Sequence, residues 1–443
     1  MEEVKKPPKL KRRVSLFALT IYGVGNVLGA GIYALIGEVV GKTGNISWLA
    51  FVLASITGAL TGLSYAELSA MYPKSAAEFV YTEEAFKIRI LSFILGWIII
   101  FSGILSAATV ALAFGGYLAD LINVPSIFII ISFGILLVIA LSIINSLGIK
   151  TSTRTNIVFT LVEALGLIII IILGFFGKSE PNYFVLPSGA SIGAIFSAVA
   201  LIFFAYIGFE DIANIAEEVK NPQKNIPKAI IYSIIITTVL YCFTAISVVS
   251  ILPPSDLADS DAPLNEVATE VLGPGGGMVM SFIALFATAN TVLIMLIVTS
   301  RMMYGMARDK ALPEELSEIS PEFRTPTTSV VLTMCFTIIP VLFGDISIVA
   351  HATVFGVLIN FFLVNVSLIA LRKKKPDFER PFELKPSYKG IPIIALLGSI
   401  ICIALLFTFD WLIILIQVII IFCGIGVFYA MKSRIETKTL SKI

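Results

Sequence analysis

The residues able to do chemistry in this chain are few, and they interrupt apolar sequence. Glu163 is the only ionisable residue well inside "TNIVFTLVEALGLIIIIILGFFG" (155–177), and Glu210 and Asp211 interrupt "LIFFAYIGFEDIANIAEEVKNPQKNIPKAI" (201–230). A charged side chain at the centre of a membrane helix costs about 2.5–3.5 kcal/mol on insertion scales, so an idle carboxylate there is unexpected. A carboxylate in an apolar interior favours its protonated form and can load and release a proton near neutral pH. A third feature needs no side chains. "GVGNVLGAGIYALIG" (23–37) carries Gly23, Gly25, Gly29, Gly31 and Gly37, and each glycine costs a helix roughly 1 kcal/mol relative to alanine. Unwinding at Gly29-Ala30-Gly31 would free backbone N–H groups and expose a half-helix N-terminus, which suits a carboxylate. Unwinding around Ala205–Gly208 would free carbonyls, which suit an ammonium group. A molecule with both groups is an α-amino acid. The competing reading is close helix packing, since Gly25 and Gly29 have the small-xxx-small spacing.

The elements that must position these groups are membrane helices. Hydrophobic residues make up 57% of the 443 residues and charged residues 14%, against about 25% charge in a soluble domain. Dense apolar runs of about 20 residues without strand-like alternation imply an all-α integral membrane protein and exclude a β-barrel. Twelve transmembrane helices are expected near 15–40, 47–70, 91–119, 125–147, 154–177, 190–216, 227–252, 276–304, 327–344, 347–371, 391–409 and 411–431. With twelve spans, all but Lys42 and Lys178 of the 31 Lys and Arg residues fall on the side of the termini. Positive-inside bias makes that side cytoplasmic. The interrupted helices are the first and the sixth. Two breaks in corresponding positions point to inverted repeats of five spans, with a binding site between them near the midplane. The expected organisation is a cytoplasmic tail (1–14), a first repeat (15–177), a second inverted repeat (190–371), helices 11–12 (391–431) and a cytoplasmic tail (432–443). The outside loop segment "PLNEVATEVLG" reads as a short surface helix.

Several motifs carry a resemblance. "GNVLGAGIYALIG" (25–37), "SYAELSAMYPKSAAEFVYTEEAF" (64–86), "FFAYIGFEDIANIAEEVKNPQKNIPKAI" (203–230) and "SRMMYGMARDKALP" (300–313) resemble the amino acid–polyamine–organocation (APC) superfamily of transporters, whose fold is the LeuT-type 5+5 inverted repeat. Ala76-Ala77 stands where that family usually has a glycine pair. The resemblance implies that the backbone of Leu28, Gly29, Ala30 and Gly31 holds the substrate carboxylate. Carbonyls of Phe204, Ala205 and Ile207 would hold its amino group. Phe204 takes the place of the aromatic gate, with Phe203 beside it as the alternative. From the third span, Ile99, Ile100, Gly103 and Ile104 are expected to face the side-chain pocket. All are apolar or lack a side chain, which suits a neutral amino acid and not arginine or a polyamine.

The coupling ion is read from Glu163. Relatives often carry a lysine at the matching position, and the resemblance places Thr288 and Asn290 where the ion site meets this span, with Thr291 next to them. These could hydrogen-bond a protonated Glu163 or complete a sodium shell. Proton coupling is the leading reading; sodium coupling, uncoupled exchange and a structural Glu163 are the alternatives. Glu210 and Asp211 are read as holding the unwound segment through backbone N–H groups, or as a second proton relay. Glu217 and Glu218 are expected to latch basic residues near the cytoplasmic surface, with Glu67 on the same side. His351, the only histidine, reads as interfacial. Cys242, Cys335, Cys402 and Cys423 lack metal or disulfide spacing and read as small packing residues.

The expected function is secondary active transport of an amino acid across the plasma membrane by alternating access, with sodium-coupled symport or exchange as alternatives. No enzyme is expected, because no nucleophile–base pair or metal-ligand set converges. No cofactor and no metal site are expected. A channel would need a ring-forming filter, and an amino acid sensor would usually carry an appended cytoplasmic domain. The expected partners are the amino acid, a coupling ion (H+, or else Na+) and the lipid bilayer. No nucleic acid is expected, and the protein can be a monomer or homodimer.

Overall fold

The computed structural model describes residues 9–440 except 30, 125, 178–180, 185–191, 259, 261 and 345–346, and gives only the backbone at 34, 192–194, 196, 204, 347–352 and 432–440. Each apolar stretch holds helix. The helices are α1 (Leu16–Leu28), α2 (Gly31–Thr43), α3 (Ser47–Met71), α4 (Ala77–Phe86), α5 (Arg89–Leu121), α6 (Ile127–Ser146), α7 (Ile149–Gly174), α8 (Ile192–Ala205) and α9 (Asp211–Asn214). They continue with α10 (Pro222–Ile251), α11 (Pro254–Ala258), α12 (Pro263–Leu272), α13 (Pro274–Arg308), α14 (Thr327–Val341), α15 (Ser347–Lys374), α16 (Ile393–Leu406) and α17 (Trp411–Leu440).

Among the described residues, nine helical stretches are long and apolar enough to cross a membrane. α14 and α16, at 15 and 14 residues, are shorter; at about 1.5 Å per residue neither alone covers a ~30 Å hydrocarbon core. The interrupted helices also divide: α1 breaks from α2 and α8 from α9. Outward faces are apolar, with Phe128, Leu136, Phe282 and Phe422 exposed, as a lipid surroundings requires.

Local sequence accounts for many ends. Ser15 Oγ accepts from Ala18 N at 3.3 Å and caps α1. Pro222, Pro263 and Pro274 stand in the first turns of α10, α12 and α13, where the missing N–H costs nothing. α12 is the expected loop helix, and it buries Leu264, Val267 and Ala268. α4, in the loop after α3, was not expected as a helix. It starts after Ala76, whose φ of 59° is the left-handed conformation that glycine adopts without strain. The chain departs from its resemblance at the residue where the backbone favours glycine. One short hairpin, β1 (Ser387–Tyr388) with β2 (Ile391–Pro392), departs from the all-helical expectation in the loop between α15 and α16.

α3 packs along α10, and α5 along α13. α1 lies against α7, α10 and α13, while α8 lies against α2 and α3. α17 packs outside, on α5 and α15, where Trp97 Nε1 donates to the Ile420 carbonyl at 3.0 Å. Cys402 is buried, but Cys335 and Cys423 are exposed. These two correct the packing expectation, because they lie on outward faces of α14 and α17.

Candidate functional site

α1 stops because Gly29 takes φ 38°, ψ −163°, outside the helical region. α2 restarts at Gly31, and the first N–H groups of a helix have no intrahelical acceptor. α8 stops at Ala205, and residues 206–210 turn before α9, with Gly208 at φ 127°. The breaks face each other: a Cβ built on Gly31 would stand 3.2 Å from Ala205 Cβ.

Side chains from three elements tie the breaks together. The Tyr241 hydroxyl on α10 lies 2.7 Å from the Val27 carbonyl, 3.0 Å from that of Leu28 and 3.2 Å from that of Ala205. One proton is thus shared among carbonyls of both breaks. Asn26 Nδ2 donates to the Gly208 carbonyl and to Asp211 Oδ2, each at 2.6 Å. Glu210 Oε2 accepts the Gly208 N–H at 2.8 Å. Glu210 therefore lies within the unwound segment, one residue before α9. Tyr241→Phe leaves three carbonyls without that donor, at a cost of roughly 1–3 kcal/mol for a buried group left unpaired. The expected outcome is a rise of about tenfold in the KM for uptake, with the protein still folded by its thermal transition. An unchanged KM would show that the breaks hold their shape without the tyrosine.

Between the breaks lies a cavity of about 230 Å³. Its walls are mostly apolar: Val27, Ile99, Ile207, Met295, Val298 and Val357, with Gly29, Gly31, Gly103 and Ala205. Polar groups come from Asn26, Ser102, Ser106, Thr291, Glu210 and Asp211. Of the residues expected from the third span, Ile99 and Gly103 line it, but Ile100 and Ile104 do not. The lining positions 99, 102, 103, 106 and 110 share one face of α5 at spacings of three to four residues; Ile100 and Ile104 are turned about 100° from Ile99 and Gly103 and pack in the core. Leu28 is buried and likewise does not line it. The Gly29 N–H reaches back to the Gly25 carbonyl at 3.4 Å, so it closes α1 and is not free for a carboxylate. Ala30 and the side chains of Phe204 and His351 lie outside the described residues.

Glu163 is fully buried behind α1 and does not line the cavity. Asn290 Nδ2 lies 3.4 Å from Glu163 Oε2, 3.0 Å from Thr160 Oγ1 and 3.5 Å from the Gly25 carbonyl. Asn156 Nδ2 donates to Asn290 Oδ1 at 2.8 Å, and the Tyr33 hydroxyl donates to the Glu163 backbone carbonyl at 2.9 Å. Glu163 Oε1 has no hydrogen-bond partner among the described residues. The glycine at 25 makes this approach possible, since a Cβ there would stand 1.9 Å from Thr160 Oγ1. Thr288 and Thr291 do not join. Their hydroxyls donate to Ala284 and Leu285, and to Ala287, within α13. A threonine in a helix satisfies itself in this way whenever no better acceptor lies within reach.

On the side of the termini the bundle is closed by ion pairs. Arg301 grips Glu218 through Nε and Nη2, both at 3.1 Å, and both side chains are fully buried. Arg301 Nη1 donates to Asn145 Oδ1 at 2.6 Å. Arg301 lies two turns inside the end of α13, and it is one of the basic residues that Glu218 latches. Glu217 pairs with Arg308 and accepts the Ser75 N–H. The Glu218 carbonyl accepts the Arg13 and Val14 N–H groups, so the N-terminal segment is strapped across the same place. Arg372 holds Glu67 with two bonds of 2.7 Å.

Asn26, Tyr241 and Arg301 were missed from sequence as site residues. Asn26 had a signal, a lone amide in an apolar span. Tyr241 had none, because an aromatic among aliphatics reads as core.

The sequence pattern of the amino acid permease family matches residues 14–424. Among curated relatives, the branched-chain amino acid permease BcaP of Bacillus subtilis is 29% identical over 97% of this chain and 94% of its own. The methylthioribose transporter of the same organism is 29% identical over 91% and 89%. Its serine/threonine exchanger SteT is 26% identical over 96% and 98%. The chain is therefore a member of the amino acid permease family, within the APC superfamily of multi-pass membrane transporters.

Proposed function

We propose that this protein is a secondary active transporter that carries a neutral amino acid across the plasma membrane by alternating access, coupled to protons through Glu163. The observation that carries the reading is the convergence of two helix breaks, from α1–α2 and α8–α9, on one small, mainly apolar cavity. In this reading the α2 N-terminus at Gly31 takes the carboxylate, and the carbonyls around Ala205 and Ile207 take the amino group. The aliphatic walls take the side chain. The name of one relative, a branched-chain amino acid permease, supports an aliphatic substrate.

The architecture in this reading is twelve spans in a 5+5 inverted repeat, 15–177 and 190–371, with 391–431 outside it. The packing of α3 on α10 and α5 on α13 supports it, because these are the second and third spans of each repeat. Both termini are cytoplasmic. The ion pairs at the terminus side then close the cytoplasmic gate, with Arg301–Glu218 as its buried centre.

The test is uptake of labelled neutral amino acids into proteoliposomes under an imposed inward proton gradient without sodium. Accumulation above equilibrium that collapses with a protonophore is expected. Leucine and alanine should compete and arginine should not. Accumulation that appears only with sodium would sink the proton reading, and competition by arginine alone would sink the neutral one.

A further inference from the structure

A second cavity, of about 480 Å³, opens on the side of the termini and is lined by Arg12, Pro73, Asn221, Pro222, Gln223 and Lys224. It shares no lining residue with the cavity between the helix breaks. Three segments far apart in the chain build it. The N-terminal strap places Arg12: the Arg13 and Val14 N–H groups bond the Glu218 carbonyl, and the Lys220 N–H bonds that of Val14 at 2.9 Å. Asn221, at φ 46°, then turns the chain into α10, whose first residues are Pro222, Gln223 and Lys224. Pro73 comes from the turn after α3, where the Ser75 N–H donates to Glu217 Oε1 at 2.9 Å.

The lining carries two positive charges and no negative one. Arg12 and Lys224 are exposed, and neither forms an ion pair or a side-chain hydrogen bond among the described residues. The acidic residues nearest in the chain are committed elsewhere: Glu217 to Arg308 and Ser75, and Glu218 to Arg301. Arg13, Lys220 and Lys228 flank the lining positions in sequence and add positive charge. Asn221 and Gln223 supply amide groups that can donate.

Positive charges gathered without a counter-charge attract an anion. A guanidinium meets phosphate oxygens as a planar fork, and an ammonium meets them as a point charge. Basic pockets between transmembrane helices at the cytoplasmic surface suit anionic headgroups, and this side is cytoplasmic in the proposed orientation. We propose that the cavity between the strap and α10 binds a phosphate-bearing anion through Arg12 and Lys224, with a lipid headgroup or a free phosphate as its source. Bound there, the anion bridges the strap to α10 and holds Val14 against Val219, beside the buried Arg301–Glu218 pair. The site lies outside the transport cavity and rests on neither the substrate nor the coupling ion.

The test uses the purified full chain in detergent, read as the thermal unfolding midpoint. One arm replaces sodium chloride by sodium phosphate at constant ionic strength. The other adds diheptanoyl phosphatidylglycerol, with diheptanoyl phosphatidylcholine as its zwitterionic match. A saturable rise with phosphate, phosphatidylglycerol or both is expected, because a ligand that binds only the folded state stabilises it. Phosphatidylglycerol alone identifies a lipid headgroup, phosphate alone identifies a soluble anion, and a rise with both shows that the phosphate group itself is recognised. Arg12→Gln combined with Lys224→Gln should raise the half-saturating concentration roughly tenfold or more. Both side chains are exposed, so their loss leaves no buried group unpaired. Arg12→Lys, which keeps the charge, should have a smaller effect. Lys389→Gln, in the hairpin loop on the same side, should leave the response unchanged. No saturable rise with either anion overturns the proposal, as does an equal rise with phosphatidylcholine or a response that persists in the double variant. The readout needs no transport, so this site and the proposed function stand or fall separately.

Discussion

Glu163→Gln should abolish pH-driven accumulation of substrate in proteoliposomes. With one proton carried per substrate, a one-unit pH gradient supports about tenfold accumulation, and the variant should fall to simple equilibration. Glutamine has nearly the shape of a protonated glutamic acid, and Asn290 Nδ2 can still meet its carbonyl oxygen. The helix contacts among Gly25, Thr160 and Asn290 are therefore kept. What is lost is a group that can give up its proton. Counterflow of labelled against unlabelled substrate should persist, which separates loss of coupling from loss of folding. The structure sharpens the demand on this residue. Glu163 is sealed from the cavity, with one carboxylate oxygen near Asn290 and the other without a partner. A proton carrier held in this way must become accessible when α1 moves relative to α7 and α13. Accumulation that survives intact in Glu163→Gln would make this carboxylate a structural group, and coupling would have to be sought elsewhere.

Arg301→Met should be strongly destabilising. The guanidinium is fully buried and carries two bonds to Glu218 and one to Asn145. Removing it leaves the Glu218 carboxylate buried without a counter-charge, a change that costs about 3–5 kcal/mol. The effect should spread to the N-terminal strap, whose Arg13 and Val14 N–H groups bond the Glu218 carbonyl. Arg301→Met combined with Glu218→Gln should recover most of the loss, because no unpaired charge remains. The measurement is the thermal midpoint of the purified protein for both singles and the double. A single variant within about 1 kcal/mol of the unaltered protein would mean that water reaches the pair and that it is not the sealed centre of a gate. Additive losses in the double would mean that the two residues act independently.

Much of this molecule is local and therefore readable. Apolar runs near 20 residues make the helices, and prolines and Ser15 mark several starts. Gly29 closes α1 and Gly208 lies in the turn between α8 and α9, both at positive φ values that are costly for other residues. The insertion cost of a charge singles out Glu163, Glu210 and Asp211. Each of these follows from a single residue and its neighbours in the chain.

Rotation and partnership are not local. Whether α5 turns Ile99 and Gly103 or Ile100 and Ile104 to the cavity depends on how it meets α13 and α15, and either face of so apolar a helix can be buried. Asn26 meets Asp211 across 185 residues, Tyr241 meets Val27 across 214, and Arg301 meets Glu218 across 83. Thr288 and Thr291 have the right residue types at the right depth, yet they satisfy themselves within α13. A polar side chain in an apolar bundle must find a partner, and its type and position make that demand legible. Which partner answers is settled by the packing of helices far apart in the chain, because many arrangements of apolar surface are close in energy and only the complete set of polar pairings separates them.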